Sequence, residues 1–508
     1  MQFAAAPEPA DLIAAVHEFT RNPDNSYKCA PCPNNDRNRT MRIYDQQFLA
    51  AEEVIANWVA ARRGAGGGRW VVLCAQMQSG KSGVMRQLAY LLTNSDTADA
   101  LRAELGFPSW NDANDVTWVL SHIADTELLE QTKKNLRDII YEPDDRIFHS
   151  PSMAKSLPDQ LTSCAVLLDE CHWGTSEGGR IDNKLSAAGL SLKANPVEMG
   201  TQNQFVCAIS ATPFAQQAPG GNLHRVFVKM QPGPDYYGLG QMLANGKVVD
   251  MGESHLFGNA AEGGVQNDPP QDAVNHFIDS IFVPALTEKR YINREPGANA
   301  VLALGQRLQN VALDHIGGIV QDYLSVQKGF LIIRAIGNKK MQPWKEALVD
   351  RLRARDFKVM DYEAGNKNDL LEDFKDICSE EHHKRLEKCG KKGINQILHL
   401  EPEENTAIFI KGMLRAGVQL NTEYVGAIVE PGGFWEDSKC DPLVDTVAQG
   451  LVGRCCGYQK AVQHVRIIAN RRKVLDYSKF WINEAIPLTA SGVSGGHTRW
   501  TSAYKNSP

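Results

Sequence analysis

Short apolar runs alternate with polar, helix-like stretches over most of the chain. In the first half the runs are VVLCA, VTWVLS, CAVLLD and FVCAIS, and in the second half they are GFLIIRA, FKVMDY, TAIFIK, VGAIVE and HVRIIA. They are rich in β-branched residues and bounded by polar turns, as is typical of buried parallel strands joined by crossover helices. The pattern therefore predicts an α/β protein in which two series of strands form two mostly parallel sheets.

The regions around the two series differ from them in composition. A helical pattern over Asp11–Thr20 and a polar loop set an N-terminal element apart. A segment containing QPGPDYYGLGQ and GNAAEGGVQNDPP separates the two series, and we interpret it as a connecting or inserted segment. The expected parts are the N-terminal element (1–40), a first α/β domain (41–230), the connecting segment (231–325), a second α/β domain (326–485) and a loosely ordered tail (486–508).

Composition narrows the function classes. The chain has 508 residues, of which 43% are hydrophobic and 22% charged, as is usual for a globular protein. No apolar run has the length of a membrane span, and the N-terminus lacks the features of a secretory signal. The eleven cysteines are scattered, which fits a reducing compartment. We therefore expect an intracellular protein with no membrane partner. The net charge of −6 gives no general attraction to nucleic acid, so such a partner would need a local groove.

A candidate phosphate-binding loop lies between a predicted strand and a predicted helix. The stretch WVVLCAQMQSGKSGVMRQLAYLL begins with an apolar run and ends with an amphipathic pattern, with Gly80-Lys81-Ser82 between them. A phosphate-binding loop has the form G-x-x-x-x-G-K-S/T, and Ala75 replaces its first glycine here. By itself, this loop leaves open whether the segment binds phosphate or is a chance occurrence of Gly-Lys-Ser.

Two further predicted strands end in polar residues. The run Asp169–His172 (DECH) follows CAVLL, and the strand FVCAIS ends in Ser210–Pro213 (SATP), with Ser210 as the last residue of the run. Taken alone, the acidic pair would indicate no more than an acidic turn at the end of a strand. Together with the loop, however, three strand ends would meet at the carboxyl edge of one sheet, where doubly wound folds bind nucleotides.

In this order, the three segments resemble motifs of the superfamily 2 helicases and translocases: A-x-x-x-x-G-K-S/T, D-E-x-H and S-A-T. Ala75 fits the loop of that family. Val119–Gln131, with VLSH and LLEQ, resembles the segment that contacts the nucleic-acid backbone. Met41–Gln47 resembles the element whose glutamine reads adenine, with either Gln46 or Gln47 in that position.

Two segments of the second series resemble motifs of the second lobe in the same family. Ile408–Leu420 is similar to its strand and glycine-containing turn, and Ala448–Tyr458 is similar to Q-x-x-G-R-x-x-R. In the latter segment one extra residue follows Gln449, and Gly457 replaces the last arginine. Arg454 is therefore the candidate from this motif for an arginine finger on the γ-phosphate.

A narrower resemblance is to the bacterial Z-one domain proteins and to several viral and phage helicase-like ATPases. The matching segments are Gln78–Ser82 (QSGKS), Ala211–Ala215 (ATPFA), Pro232–Gly238 (PGPDYYG), Ala416–Leu420 (AGVQL) and Asp445–Tyr458 (DTVAQGLVGRCCGY).

The resemblance implies two RecA-like lobes that use ATP and Mg²⁺ as cofactors, and an ATP-dependent helicase or translocase activity. The implied partner is nucleic acid, with DNA favoured over RNA, beside protein partners. The residues implied as catalytic are Lys81, Asp169, Glu170 and Arg454. Those implied to bind the nucleotide are Gln46, Gln47, Ala75, Gln78, Ser79, Gly80, Lys81, Ser82 and Gly83, and those implied to hold Mg²⁺ are Ser82 and Asp169.

Other interpretations stay open. The chain could be the ATPase motor of a restriction, defence or repair assembly without strand separation of its own, or a nucleotide-dependent switch that binds protein partners. Cys29 and Cys32 have the spacing of metal ligands. A zinc site needs four ligands and the chain has no second C-x-x-C pair, so a polar loop is the favoured interpretation there.

Overall fold

The structure is a computed structural model. It describes residues 10–30, 43–94, 98–112, 116–121, 126–171, 180–190, 196–213, 225–254, 256, 269–292, 328–335, 342–363, 394–411, 420–431 and 444–483. The chain divides into two compact units between Tyr236 and Tyr237, and the second unit runs from Tyr237 to Ile482. The division falls inside the predicted connecting segment, so the described residues of that segment from Tyr237 onward belong to the second unit.

Six parallel strands form the sheet of the first unit, in the order β3-β2-β4-β5-β1-β6. The strands are β1 (Trp70–Ala75), β2 (Thr117–Ser121), β3 (Ile147–His149), β4 (Cys164–Asp169), β5 (Gln204–Ser210) and β6 (Arg225–Met230). The helices described in this unit are α1 (Ala10–Thr20), α2 (Asp45–Arg63), α3 (Lys81–Thr93), α4 (Ala98–Leu105), α5 (Thr126–Leu136), α6 (Pro143–Arg146), α7 (Ser150–Ser156), α8 (Arg180–Ala187) and α9 (Pro196–Gln202).

The central strands of the first sheet are covered on both faces. Every residue of β1, β4 and β5 is buried, as expected for parallel strands between layers of helices. On one face, the ring of Phe205 lies 5.9 Å from Trp58 of α2 and 5.6 Å from Phe107. This packing leaves the strand ends as the places where the first sheet can carry polar chemistry.

The register of these strands aligns their carboxyl ends. Asp169 at the end of β4 is paired with Ile209 of β5, and Ser210 is paired with Cys74 of β1. The residues that follow the three strands therefore lie side by side at one edge of the sheet.

The described part of the N-terminal element belongs to the first unit and packs on its helices. The guanidinium of Arg21 donates to both carboxylate oxygens of Glu52 on α2, at 2.8 and 2.7 Å. The side-chain amide of Gln87 on α3 accepts from the Ala30 N–H at 3.1 Å and donates to the Lys28 carbonyl at 2.5 Å. These bonds fix residues 21–30 to the helices that flank the candidate loop.

Six parallel strands also form the sheet of the second unit, in the order β7-β12-β11-β8-β10-β9. The strands are β7 (Val248–Asp250), β8 (Phe330–Arg334), β9 (Lys358–Glu363), β10 (Thr406–Lys411), β11 (Val425–Glu430) and β12 (Arg466–Ala469). The helices described are α10 (Leu239–Ala244), α11 (Gln271–Phe277), α12 (Val283–Ile292), α13 (Gln342–Arg353), α14 (Ile394–Leu398), α15 (Val444–Val447) and α16 (Arg471–Asn483). Two π-helical turns (Ile278–Phe282, Ala448–Val452) and a 3-10 turn (Lys460–His464) complete the unit as described.

These two sheets confirm the predicted fold class. All nine apolar runs that were predicted as strands form strands, and each unit is an α/β layer structure built on a parallel sheet. The helix predicted over Asp11–Thr20 is found as Ala10–Thr20. Within the described part of the chain, none of the helices combines the length and the hydropathy that crossing a membrane requires.

Candidate nucleotide-binding site

The candidate loop, residues 76–80, connects β1 to α3 and turns twice through the left-handed region. Gln78 has φ of 56° and Gly80 has φ of 102°. Ser79 closes the turn, because its hydroxyl donates to the Gln76 carbonyl at 2.7 Å. The conformation brings the chain to the start of α3 at Lys81, where the first N–H groups of a helix have no partner within the helix.

Ala75 is the fully buried last residue of β1, paired with Met230 of β6. An extended strand position needs no glycine, whereas glycine is the residue that adopts φ near 100° without strain. This accounts for alanine at the start of the loop and glycine at position 80.

Gln47 on α2 supports the loop from one side. Its amide nitrogen donates to the Gly80 carbonyl at 2.7 Å, and its amide oxygen accepts from the Tyr44 N–H at 2.8 Å. A Cβ atom at position 80 would overlap with the Gln47 amide, and one at Gly83 would lie 2.7 Å from its oxygen. Both glycines therefore leave the space that Gln47 occupies.

The two glutamines that resemble the adenine-reading element differ in their surroundings. Gln47 is buried, with 4% of its surface exposed, and its amide is engaged by the loop and by its own helix. Gln46 is partly exposed. Adenine recognition by either residue stays a prediction.

Two buried acidic residues lie at the carboxyl end of β4. Asp169 and Glu170 are 8% and 4% exposed, and Glu170 has a left-handed backbone with φ of 50°. The Glu170 N–H donates to Oδ1 of Asp169 at 3.0 Å. Glu170 Oε1 lies 3.3 Å from Nζ of Lys81 at the start of α3. Three of the predicted site residues are thus brought together, by the alignment of β4 and β1 on either side of β5.

The environment of Asp169 resists its ionisation. Burial raises the pKa of this carboxyl above its usual range, and the neighbouring Glu170 raises it further, whereas Lys81 and the Glu170 N–H act in the opposite direction. A divalent cation would compete with the proton at this carboxylate, because carboxylate oxygens are the protein ligands that Mg²⁺ uses.

The end of β5 lies between the ends of β4 and β1 and forms the third part of the site. Ser210 is the last residue of β5, and its hydroxyl accepts the Thr212 N–H at 3.0 Å. Ser210, Ala211 and Thr212 are all buried. This small, internally bonded turn lies beside the acidic pair without adding charge to it.

The donor set at this edge fits a phosphate chain with a magnesium ion. Lys81 supplies a cation, α3 supplies the N-terminus of a helix, and Asp169 supplies an oxygen ligand. Ser82, in the first turn of α3, is exposed and carries the hydroxyl that phosphate-binding loops use for Mg²⁺.

Arg454 lies in the second unit and is 4% exposed. Its guanidinium donates to the Gln449 carbonyl at 3.1 Å. The helical geometry is interrupted between these residues, because Gly450 has a non-helical ψ of −151° inside the π-helical turn. We call residues 448–457 the Arg454 turn. Its role toward a nucleotide stays a prediction.

Glu430 at the end of β11 holds this turn, and sequence reasoning missed it. Its Oε2 accepts from the Leu451 N–H and from Nε of Arg334, both at 2.7 Å. A Cβ at Gly450 would overlap with the same oxygen. The only signal in the sequence was an acidic residue at the end of a predicted strand. Its bonds could not be predicted from that signal, because one partner, Arg334, is 96 residues away.

Several residues of the predicted motifs lie outside the described part of the chain. They are Cys32, Met41, Arg42, His122, His172, Phe214, Ala215 and residues 412–419. The zinc hypothesis therefore stays untested, and Cys29 is exposed with its thiol against the Ala30 carbonyl.

Comparisons with known proteins place few constraints on this site. No family model matches the chain. An uncharacterized protein of Acanthamoeba polyphaga mimivirus is 25% identical over 427 residues, covering 82% of this chain and 83% of that protein. Among solved structures, T4 UvsW matches with a TM-score of 0.21 and 10% identity, over 85% of this chain and 68% of that one. The Sulfolobus solfataricus SWI2/SNF2 ATPase core in complex with dsDNA matches with a TM-score of 0.27 and 10% identity, over 84% and 87%. The fold assignment rests on the two sheets themselves.

The raised pKa of Asp169 predicts a pH-dependent magnesium requirement. Protons compete with Mg²⁺ for the carboxylate, so the Mg²⁺ concentration that half-saturates nucleotide binding should rise as pH falls from about 8 to about 6. The measurement is a titration with a fluorescent ADP analogue. Because phosphate groups titrate in the same range, Asp169→Asn serves as the control and should show a weaker and flatter dependence.

The raised pKa of Asp169 also predicts how the stability of the protein changes with pH. Because the pKa of Asp169 is raised in the native protein, the protonated side chain contributes to the free energy of unfolding at low pH. This contribution is lost as pH rises from the usual carboxyl range, near about 4, through the native pKa. The nucleotide-free Asp169→Asn variant should therefore melt at a higher temperature than the parent near neutral pH. An identical pH profile of magnesium binding in the two proteins would contradict this account of Asp169.

Proposed function

We propose that this protein is a nucleic-acid-dependent ATPase that moves along or unwinds a strand, and that MgATP binds at the carboxyl edge of the first sheet. The observation that carries the proposal is the 3.3 Å contact between Lys81 and Glu170, next to Asp169 and beside a loop that turns left-handed at Gly80. A cation at a helix start and two buried carboxylates at a strand end are the groups that phosphoryl transfer needs.

In the proposed site each residue has a distinct role. Lys81 neutralises the β- and γ-phosphates, and the N–H groups of residues 77–82 bind the phosphate oxygens at the start of α3. Ser82 and Asp169 hold Mg²⁺, which when bound neutralises charge on the phosphates. Glu170 accepts a proton from the attacking water and orients it.

The contact between Lys81 and Glu170 pairs two opposite charges at the proposed site. Each charge is neutralised by the other in a site where both side chains are largely covered, with 13% and 6% exposed. A phosphate chain offers Lys81 a more highly charged partner, which would leave Glu170 available to a water molecule. The pair thus satisfies two charges whose burial would otherwise be costly.

Nucleic acid is the proposed partner, with DNA favoured over RNA. The support is the order of motifs that resemble superfamily 2 and the narrower Z-one-like segments. Because the net charge is −6, binding would rely on a local basic surface, and its affinity would fall with salt as counterions compete for the phosphates. A motor subunit that does not separate strands would use the same site.

Substitutions at Lys81 and Glu170 test the nucleotide site. Lys81→Ala should abolish ATP hydrolysis, because the phosphates lose their cation. Glu170→Gln keeps the shape of the side chain and loses its charge, so it should bind ATP and block turnover. The measurement is steady-state phosphate release together with binding of a fluorescent nucleotide.

Lys184→Ala is a matched control, because it removes a lysine whose ion pair with Asp159 lies on an exposed surface. It should hydrolyse ATP at the parental rate. Folding of each variant is verified by thermal melting. Parental turnover in a folded Lys81→Ala protein would refute the proposed phosphate loop.

Arg454 is proposed to supply a second positive charge, beside that of Lys81, to the γ-phosphate. Removal of an arginine finger lowers phosphoryl-transfer rates by about 10³–10⁵, so Arg454→Ala should reduce kcat by at least about a hundredfold. Nucleotide affinity should change much less, because a finger acts mainly on transition-state charge.

Cys455→Ala provides the control for this prediction. Its side chain is buried beside Arg454 and carries no charge, so kcat should stay near the parental value. Steady-state kinetics of the two variants separates a charge effect from a packing effect. Equal losses of kcat in both would show that the Arg454 turn matters only for packing.

A further inference from the structure

Two consecutive tyrosines stand where the first unit ends and the second begins. Tyr236 is the last residue of the first unit in this part of the chain, and Tyr237 is the first residue of the second. Both are buried, at 5% and 8% exposed. Each is tied to the part of its own unit that carries a candidate catalytic group.

Tyr236 is bonded to the phosphate loop. Its hydroxyl donates to the Met77 carbonyl at 2.5 Å, the short end of the range for hydrogen bonds between two oxygens. Tyr236 comes close to the loop because β6 pairs with β1 as far as Ala75 and Met230. The chain leaving β6 therefore runs next to the loop, and the bond from the Tyr236 N–H to the Gly233 carbonyl, at 3.1 Å, turns it.

This hydroxyl holds a part of the loop that the described side-chain bonds of Ser79 and Gln47 do not reach. Ser79 bonds to Gln76, and Gln47 bonds to Gly80. Met77 lies between those two points, immediately before the left-handed Gln78. The Tyr236 bond thus fixes the carbonyl whose peptide plane leads into the first left-handed residue of the loop.

Tyr237 is bonded to the Arg454 turn. Its N–H donates to the Gly457 carbonyl at 2.9 Å, and its carbonyl accepts the Gly457 N–H at 3.0 Å. Gly457 has φ of 134°, which favours glycine. The Tyr237 hydroxyl accepts from the side chain of Asn245 at 2.9 Å, within the second unit.

We propose that Tyr236 is a positioning residue that couples the state of the phosphate loop to the Arg454 turn. The inference rests on the proposed ATPase function and adds a residue that couples the two units. One peptide link, about 3.8 Å between Cα atoms, separates the residue anchored at Met77 from the residue anchored at Gly457. A change of the loop on nucleotide binding therefore acts on Tyr237 through one covalent step, with no flexible linker to absorb it.

The neighbouring tyrosines supply a matched pair of variants. Tyr236→Phe removes only the hydroxyl that reaches Met77. Tyr237→Phe removes only the hydroxyl that reaches Asn245 and keeps both backbone bonds to Gly457. Each change deletes one phenolic oxygen from a buried ring, so a general loss of packing would affect both proteins alike.

The first readout is amide hydrogen exchange in the full chain. Without nucleotide, Tyr236→Phe should exchange faster than the parent across residues 76–80, by about three- to tenfold as expected for one lost hydrogen bond. Addition of a non-hydrolysable ATP analogue with Mg²⁺ should alter exchange at residues 455–459 in the parent and in Tyr237→Phe. It should do so much less in Tyr236→Phe.

The second readout is steady-state ATP hydrolysis with and without DNA. The quantity compared is the ratio of kcat with DNA to kcat without DNA. Tyr236→Phe should lose at least about fivefold of this ratio, in the range of ordinary coupling between sites. Tyr237→Phe should keep the parental ratio.

The outcomes separate this proposal from the proposed function. A parent chain that does not hydrolyse ATP would overturn the ATPase function. An active parent with Tyr236→Phe indistinguishable from Tyr237→Phe in both readouts would overturn the role of Tyr236 alone. Faster exchange at residues 76–80 with unchanged DNA stimulation would also overturn it, because the hydroxyl would then serve only the local loop.

Discussion

The ion pair between Lys81 and Glu170 is the contact on which the proposed site depends. It joins the start of α3 to the residue after β4, across the width of β5. Such a contact requires that β1, β4 and β5 be parallel and in register, because only then do their carboxyl ends meet at one edge. The buried strands supply that alignment, and the pair in turn neutralises a charge that burial alone would make costly.

Both units hold a turn with a buried polar side chain that lies in the space left by a glycine. In the first unit, the amide of Gln47 occupies the space that Gly80 and Gly83 leave open and bonds to the Gly80 carbonyl. In the second, the carboxylate of Glu430 lies against Gly450 and bonds to the Leu451 N–H. Each buried side chain forms a hydrogen bond with a backbone group of the turn. In a regular helix or strand, that group would be bonded to another backbone group. Substitution of these glycines would displace the side chain that shapes the turn.

The sequence predicted most of the sheets because nearly all of the predicted strands are runs of apolar residues, with β9 (KVMDYE) as the exception. The strands β3, β6 and β7 escaped prediction for different reasons: β3 and β7 have three residues each, and β6 carries Arg225 and Lys229. The local order of motifs also predicted which residues follow β1, β4 and β5. Contacts made by side chains across long separations could not be predicted, such as Glu430 with Arg334 and Tyr236 with Met77, the latter pair 159 residues apart.

In the proposed function, nucleic acid controls the rate of ATP hydrolysis at the first sheet. The most direct measurement is the ATP hydrolysis rate of the full chain, with Mg²⁺, in four parallel reactions: no nucleic acid, single-stranded DNA, duplex DNA and RNA. We expect measurable hydrolysis that rises at least several-fold with one of the DNA forms, by about 5- to 150-fold if the coupling is of ordinary size. A hydrolysis rate that is the same in all four reactions would contradict the nucleic-acid motor and favour a nucleotide switch for protein partners.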